Sequence, residues 1–180
     1  RVQYLFPKAH AVAYVLMAYR IAYCKVHHPK HFYASYFTVR ATDFDYTHVS
    51  KGSHYIKNFI KSVYQQGFRA SVQDKSIATY LELANEMIER GYEFEKVDLY
   101  KSHPTKFLIT EKGLRPPLAS LAGVGNNAAL SIAEARDVNN PFISREDLRQ
   151  RAGIGKAVIE RLADVGVLDD LPESNQIDLF

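Results

Sequence analysis

The chain has 180 residues, of which 47% are hydrophobic, and carries a formal net charge of +3 at pH 7. This apolar content is sufficient for one large or two small packed domains, and the single cysteine, Cys24, excludes an internal disulfide bond. No apolar run reaches the roughly 20 residues that a membrane-spanning helix needs. The sequence therefore predicts a cytoplasmic protein without a membrane anchor.

The charge is divided unevenly along the chain. Residues 118–180 contain 6 Lys/Arg and 10 Asp/Glu (net −4), whereas residues 1–117 contain 17 and 10 (net +7). Long-range attraction to a polyanion would therefore come from the first part. The second part would need backbone amides and a few well-placed cations, such as Lys156, to bind one.

The first part of the chain has helical patterns. A long helix is predicted from about Lys8 to His28, ended by Pro29, and a shorter one from Lys30 to Val39. The polar stretch from Ala41 to Ser53 is predicted to be a connector.

Two amphipathic helices are predicted next, from about Tyr55 to Gln66 and from about Asp74 to Arg90, each stopped by a glycine. Two short strands are expected at Val97 to Tyr100 and at Lys106 to Thr110. Further on, Ser144 begins a capping-box-like helix start, and Gly166 is predicted to stop the last helix.

The start of the long first helix has the residue types of a nucleotide site. Lys8 lies in the first turn beside free N–H groups, and His10 and Tyr14 share a face because they are four residues apart. Cation, imidazole and phenol ring together fit a nucleoside triphosphate. The alternative is an ordinary core helix whose aromatic side chains pack inward.

Two patterns resemble metal sites. Asp43 and Asp45 are two residues apart, as in a carboxylate pair, but their surroundings predict a solvated loop. Cys24 and the histidines after it have zinc-like spacing, but Pro29 interrupts the helix between them, and His28 fits a helix C-cap instead. The aromatic residues that follow are expected in the core: Phe32, Tyr33, Tyr36 and Phe37.

Two Gly-hydrophobic-Gly sequences form the strongest signal in the chain. Gly123-Val124-Gly125 and Gly153-Ile154-Gly155 lie 30 residues apart, and helix-forming runs follow from Asn126 and Lys156. Such a turn leaves backbone N–H groups pointing outward where the helix dipole favours an anion. One glycine is needed for a positive φ and one for close approach of a phosphate. The pair predicts a tandem helix-hairpin-helix that binds a nucleic-acid backbone.

The chain ends on two large apolar residues, in the sequence Gln176-Ile177-Asp178-Leu179-Phe180. A polar anchor, a short spacer and a Leu-Phe plug suit an extended peptide that docks in a hydrophobic groove of a partner. The alternative is that the tail folds back on its own domain.

Three segments closely resemble the PolC-type bacterial replicative DNA polymerase III alpha subunits: Phe6 to Tyr14, Val26 to Pro29 and Phe32 to Ala41. The segment Gly91 to Tyr100, the two hairpins and the terminal Gln176 to Phe180 fit the same family in the same order. Because the chain also begins at Arg1 in mid-domain sequence, the resemblance implies a C-terminal piece of a longer DNA-directed DNA polymerase.

The resemblance implies a mainly α fold with a small β element. Residues 1–53 would end the polymerase fingers domain, and residues 54–117 would form a helical and small β connecting region. Residues 118–171 would be a tandem helix-hairpin-helix domain that binds duplex DNA, and residues 172–180 a flexible clamp-binding tail. Other replisome subunits are implied partners, at the nucleoid.

The family's site residues transfer to matching positions of this sequence. Those near the incoming-dNTP pocket would be Phe6, Lys8, His10 and Tyr14. Those that meet the phosphates of the new duplex would be Gly123, Val124, Gly125, Asn126, Gly153, Ile154, Gly155 and Lys156. Those that bind the sliding clamp would be Gln176, Ile177, Asp178, Leu179 and Phe180. The Mg²⁺ ions of the whole enzyme would be held by carboxylates outside this chain, so no catalytic residue, metal ligand or bound cofactor is expected here.

Two positions depart from the family pattern. Ile177 stands where leucine is more usual, a change that conserves volume, and Ala122 stands where many such hairpins have proline. Two other functions fit the hairpins themselves: a non-catalytic DNA-binding accessory or repair module, and an interaction domain in which the hairpins pack against protein.

Overall fold

A computed structural model describes residues 7–174 of the chain. Phe6 of the predicted nucleotide site and the whole predicted clamp-binding segment, Gln176 to Phe180, lie outside the described residues. The part that is described is mainly helical with one small sheet, which confirms the predicted fold class.

Five helices come first: α1 (Lys8–His27), α2 (Pro29–Val39), α3 (Tyr46–Val49), α4 (Gly52–Gln66) and α5 (Val72–Glu89). Three short strands follow: β1 (Glu93–Phe94), β2 (Leu108–Ile109) and β3 (Gly113–Arg115). The last three helices are α6 (Asn126–Ala135), α7 (Arg145–Ala152) and α8 (Lys156–Asp164). Single 3₁₀ turns at Gly67–Arg69 and Leu118–Ser120 join α4 to α5 and lead into the hairpin region.

The four long helices predicted before residue 91 are confirmed, with ends within three residues of those expected. The Ala41 to Ser53 stretch is not a plain connector, because it contains α3. Asp45 caps that short helix by accepting hydrogen bonds from the Thr47 N–H and hydroxyl, both at 2.8 Å.

The strand predicted at Val97 to Tyr100 is wrong. There the Asp98 carboxylate accepts hydrogen bonds from the N–H groups of Tyr100 and Lys101, which closes a turn instead. Strand β1 lies just before this turn. The second predicted strand, Lys106 to Thr110, is confirmed only over the two residues of β2.

The sheet has the order β1-β3-β2, with β1 parallel and β2 antiparallel to β3. Gly113 pairs with Glu93 so closely that a Cβ at Gly113 would lie 2.1 Å from the Glu93 carbonyl oxygen. A side chain is therefore sterically excluded at this point of the sheet.

An aromatic cluster forms the core beneath the sheet. Phe37 of α2 is buried, with ring centroids 5.4–5.5 Å from those of Phe44, Phe94 and Phe107. Tyr33 is fully buried one turn earlier. The other two aromatic residues predicted for the core, Phe32 and Tyr36, are half-buried and pack against it.

The same core continues into the hairpin region, where it includes Leu118, Leu148 and Leu162. Polar contacts cross the same junction: the Arg136 guanidinium donates to the carbonyl oxygens of Leu99 and Ser102, at 3.0 and 2.7 Å. The predicted division at residues 53, 117 and 171 stays a prediction.

Helix α1 differs from the others because it has no buried residue. Its large apolar side chains are exposed on every face, including those of Tyr14, Leu16 and Tyr19. The alternative interpretation, in which its aromatic residues pack into the core of this chain, is therefore wrong. No helix among residues 7–174 is both long enough and apolar enough to cross a membrane.

The last turn of α1 is fixed to the rest of the fold by Glu86 of α5. This carboxylate accepts hydrogen bonds from Lys25 Nζ at 2.7 Å and from the Tyr33 hydroxyl at 2.8 Å. Arg90 donates to the Lys25 carbonyl oxygen and to the Tyr33 hydroxyl, both at 3.1 Å. Partial burial opposes ionisation of Glu86, but the bonds from Lys25 and Tyr33 outweigh it and lower the pKa of this carboxyl below its usual range.

Replacing Glu86 with glutamine should lower the free energy of unfolding at pH 7 by about 1 kcal/mol, because the group is partly exposed and its ion pairs are screened. Since the folded-state pKa is lowered, this stabilisation is present above the ordinary carboxyl pKa and lost as pH falls through the lowered value. Urea titrations of wild type and Glu86→Gln at pH 7 and near pH 3 measure both effects. Glu134→Gln, at an exposed carboxylate, is the matched control. An equal loss at the two pH values would contradict the ionic role.

Candidate nucleic-acid interface

The first hairpin connects the 3₁₀ turn at Leu118–Ser120 to α6. Val124, its middle residue, is only 3% exposed and belongs to the core, whereas Gly123 and Gly125 on either side are exposed. The Val124 N–H donates to the Leu121 carbonyl oxygen at 2.9 Å, which closes the turn. The buried side chain thus anchors the hairpin, and the glycine backbone faces solvent.

The second hairpin repeats this arrangement between α7 and α8. Ile154 is 8% exposed, and Gly153 and Gly155 are exposed. The Ile154 N–H donates to the Arg149 carbonyl oxygen at 3.2 Å. Ser144 caps α7 by accepting from the Asp147 N–H at 3.0 Å, so the predicted helix start at Ser144 is confirmed.

The two glycines of each hairpin have different backbone roles. Gly123 and Gly153 have φ values of +85° and +62°, in the left-handed region that favours glycine. Gly125 and Gly155 have ordinary φ values of −70° and −73°, and a Cβ added at either would meet nothing within 4 Å. The fold itself could therefore accommodate a side chain at Gly125 and at Gly155. Glycine at these positions instead leaves room for a ligand to approach the backbone.

The helices that follow the hairpins begin with unsatisfied donors. Within residues 7–174, no acceptor lies in reach of three consecutive N–H groups at the start of α6 (125–127) and three at the start of α8 (155–157). Because both N-cap residues are glycine, no side chain caps either helix. These donors lie at the positive end of each helix dipole, which is a favourable place for a phosphate oxygen.

The predicted phosphate-contacting residues therefore divide into three groups. Gly123 and Gly153 are exposed and supply the positive φ of each turn. Gly125, Asn126, Gly155 and Lys156 are exposed at the open donors. Val124 and Ile154 are buried, and their N–H groups are used inside the hairpins, so they support the donors rather than add to them.

The cations near the hairpins are mostly paired. Lys156 Nζ lies 3.6 Å from a Glu160 carboxylate oxygen, and an Arg161 guanidinium nitrogen lies 3.7 Å from one of Asp164. All four side chains are more than half exposed, so solvent screens the pairs and the cations can exchange partners.

Arg161 is a residue that the sequence did not point to. Its Cγ lies 3.2 Å from the position of a Cβ on Gly123, so α8 of the second hairpin places a guanidinium against the first. No local pattern reveals this position, since it depends on how α8 packs across the pair.

A cleft of about 420 Å³ lies beside the first hairpin. Its walls include residues 122–125, the start of α5 at Gln73, and Asp43, Asp45 and His48. The Asp43 carboxylate accepts a hydrogen bond from Ser76 and that of Asp45 caps α3, so both carboxylates have structural partners. Burial lowers the pKa of His48 below its usual range, so this imidazole is neutral at pH 7 and adds no positive charge to the cleft.

The α1 residues predicted for a nucleotide site lie on an exposed surface of the described chain. Lys8, His10 and Tyr14 are all exposed, and the His10 and Tyr14 rings meet edge to face with centroids 4.5 Å apart. Their common face is confirmed. Among residues 7–174, no group of three or more His, Cys, Asp or Glu side chains is placed to hold a metal ion, and His28 is the C-cap residue of α1.

A family model for the helix-hairpin-helix motif matches residues 91–177. The whole chain is 55% identical to a PolC-type DNA polymerase III of Halalkalibacterium halodurans, 54% identical to one of Bacillus cereus and 51% identical to one of Bacillus subtilis. Over its whole length, the chain is highly similar to one region of the PolC-type DNA polymerase III proteins. All 180 residues align in each comparison, and the chain spans 12% of the length of each of these relatives.

Valine at Gly125 or Gly155 should leave the fold nearly intact and weaken duplex binding about tenfold, because its side chain would occupy the space of a phosphate beside the open N–H groups. Fluorescence anisotropy with duplexes of several unrelated sequences, with thermal melting of each variant, measures this. Gly123→Val is the contrasting variant: its positive φ predicts a loss of both stability and binding. A loss that depends on duplex sequence would argue against backbone-only contacts.

Proposed function

We propose that the chain is part of a replicative DNA-directed DNA polymerase and that its paired hairpins bind duplex DNA without sequence preference. The observation that carries the proposal is the pair of exposed glycine turns, each followed by a helix whose first N–H groups have no acceptor within the described residues. Backbone amides reach phosphates but not base edges, so binding of this kind does not read sequence.

The net charge of −4 over residues 118–180 supports a short-range, amide-based contact. An acidic surface does not attract DNA from a distance, so the phosphates would be drawn in by the basic first part and then held at the helix starts. Lys156 and Arg161 are the exposed cations placed to strengthen that contact.

The extent of the sequence similarity favours a polymerase over an accessory or repair module. Such a module would explain only the hairpin region, whereas the identity to PolC-type polymerases extends over residues 1–90 as well.

In the whole enzyme, the exposed face of α1 with Lys8, His10 and Tyr14 would contribute to the pocket for the incoming dNTP. Lysine in the first turn of a helix adds a charge to N–H groups that already favour a triphosphate. Phe6 would complete this site. The Mg²⁺ ions that a polymerase uses to bind the triphosphate would be held outside this chain.

Changing Lys8 to alanine in the full-length polymerase should raise the KM for dNTP about fivefold or more, since one charge-assisted contact to the triphosphate is removed. Steady-state primer extension at varied dNTP concentration measures this. Lys101→Ala, at another exposed lysine, is the matched control. Unchanged kinetics for Lys8→Ala would place the residue outside the pocket.

The segment Gln176-Ile177-Asp178-Leu179-Phe180 would tether the polymerase to a sliding clamp by inserting its apolar end into a groove. Other replisome subunits would be further partners, and the enzyme would act in the cytoplasm at the nucleoid. The tether would keep the polymerase near its DNA without adding to DNA affinity.

Deleting residues 176–180 from the full-length protein should abolish binding to the sliding clamp and leave affinity for duplex DNA unchanged, because the plug and the hairpins are separate contacts. Surface plasmon resonance on immobilised clamp and anisotropy on duplex DNA give the two readouts. A Glu173→Gln variant, which keeps the terminal segment, controls for changes nearby. Clamp binding that survives the deletion would refute the tether.

A further inference from the structure

The turn between α4 and α5 carries a surface that the hairpins do not account for. We name residues 61–75 the α4–α5 tip. Phe68 at its apex exposes its whole side chain, at 105% of the reference area, and Tyr64 and Val72 beside it are 68% and 86% exposed. An apolar group of this kind at the apex of a helical hairpin is costly in water unless a ligand covers it.

The backbone holds Phe68 outward. Gly67 ends α4 with a φ of +55° and its N–H donates to the carbonyl oxygens of Val63 and Tyr64. Ser71 then caps α5 by accepting from the Asp74 N–H at 2.9 Å. The 3₁₀ turn that carries Phe68 is therefore fixed at both ends, so the ring is displayed by ordered backbone.

The charge around this ring identifies the class of partner. The tip contains three cations and one carboxylate, that of Asp74, which accepts a hydrogen bond from the Ser71 hydroxyl. The Glu82 carboxylate of α5 also reaches the tip, where it accepts a hydrogen bond from the Tyr64 hydroxyl. Within residues 7–174, no carboxylate pairs with Lys61, Arg69 or Lys75. A segment that combines a fully exposed aromatic ring with cations that have no carboxylate partner is complementary to nucleic acid, with the ring for a base and the cations for phosphates.

One residue of the tip lies close to the first hairpin. Gln73, next to Val72, lines the same cleft as residues 122–125. DNA held at the first hairpin would therefore be near the start of α5, where the tip could reach an adjoining strand.

From these observations we propose that the α4–α5 tip binds single-stranded DNA, with an unpaired base stacked on Phe68 and the adjoining phosphates held by Lys61, Arg69 and Lys75. Unpaired bases offer an open face to an aromatic ring, whereas bases inside a duplex do not. Only the position of the strand rests on the proposed function of the hairpins; the stacking contact does not.

The test uses the full-length protein and a labelled oligodeoxythymidine of 12 nucleotides. Phe68→Ala and Phe68→Leu should each weaken binding by about 5- to 100-fold, and Phe68→Trp should retain it, because stacking needs an aromatic face. Affinity for blunt duplex DNA should not change. Since the Phe68 side chain is fully exposed, none of these variants should alter the melting temperature.

A second measurement locates the contact directly. An oligonucleotide with one 5-iodouracil should photo-crosslink to Phe68, as identified by mass spectrometry of the peptide, and Arg69→Gln should lower the dependence of affinity on salt. Unchanged oligothymidine binding by Phe68→Ala together with no crosslink at Phe68 would overturn the proposal. So would full binding by Phe68→Leu, which would indicate a protein-like apolar contact.

The two proposals fail separately. Gly125→Val and Gly155→Val should affect duplex binding alone, whereas Phe68→Ala should affect single-strand binding alone. If the glycine variants bound duplex DNA normally, the proposed hairpin contact would be refuted and the tip contact would stand. If Phe68→Ala bound single-stranded DNA normally, the tip contact would be refuted and the hairpin contact would stand.

Discussion

Burial of one apolar side chain between two glycines determines the arrangement of each hairpin. Val124 and Ile154 are held in the core, so the flanking backbone has to face outward. The following helix then begins with donors that no acceptor within the described residues satisfies. A hydrophobic contact inside the protein therefore positions backbone donors on its surface. The positive φ of the first glycine allows the sharp turn that this arrangement needs.

The hairpin region and the α4–α5 tip differ in net charge and in the pairing of their cations. The hairpin region is acidic, and most of its cations are paired with carboxylates. The α4–α5 tip is basic, and its cations have no carboxylate partners within residues 7–174. Amide dipoles act over a short distance, whereas unpaired charges act over about a Debye length. A surface that combines them can attract a polyanion and still hold it in one geometry.

The long helices could be predicted from sequence because proline, glycine and apolar spacing mark them locally, as Pro29, Gly67 and Gly91 do. The hairpins were predictable for the same reason. Helix α3 and strand β1 were missed because each is short and depends on a distant partner, Tyr80 hydroxyl for the Asp45 N–H and Gly113 for Glu93. The position of Arg161 against the first hairpin depends on how α8 packs, and the exposure of Phe68 depends on the turn between α4 and α5. No local sequence pattern encodes either feature.

The continuous core described above has a mechanical consequence. Leu118, Leu148 and Leu162 of the hairpin region belong to the same apolar cluster as Phe37 and Phe44, and Arg136 bridges the junction through two carbonyl oxygens. Under the proposed function, force from DNA bound at the hairpins would therefore act on the same packed core that contains Phe37 and Phe44. The hairpin region and the helices before it would then be displaced together along the duplex.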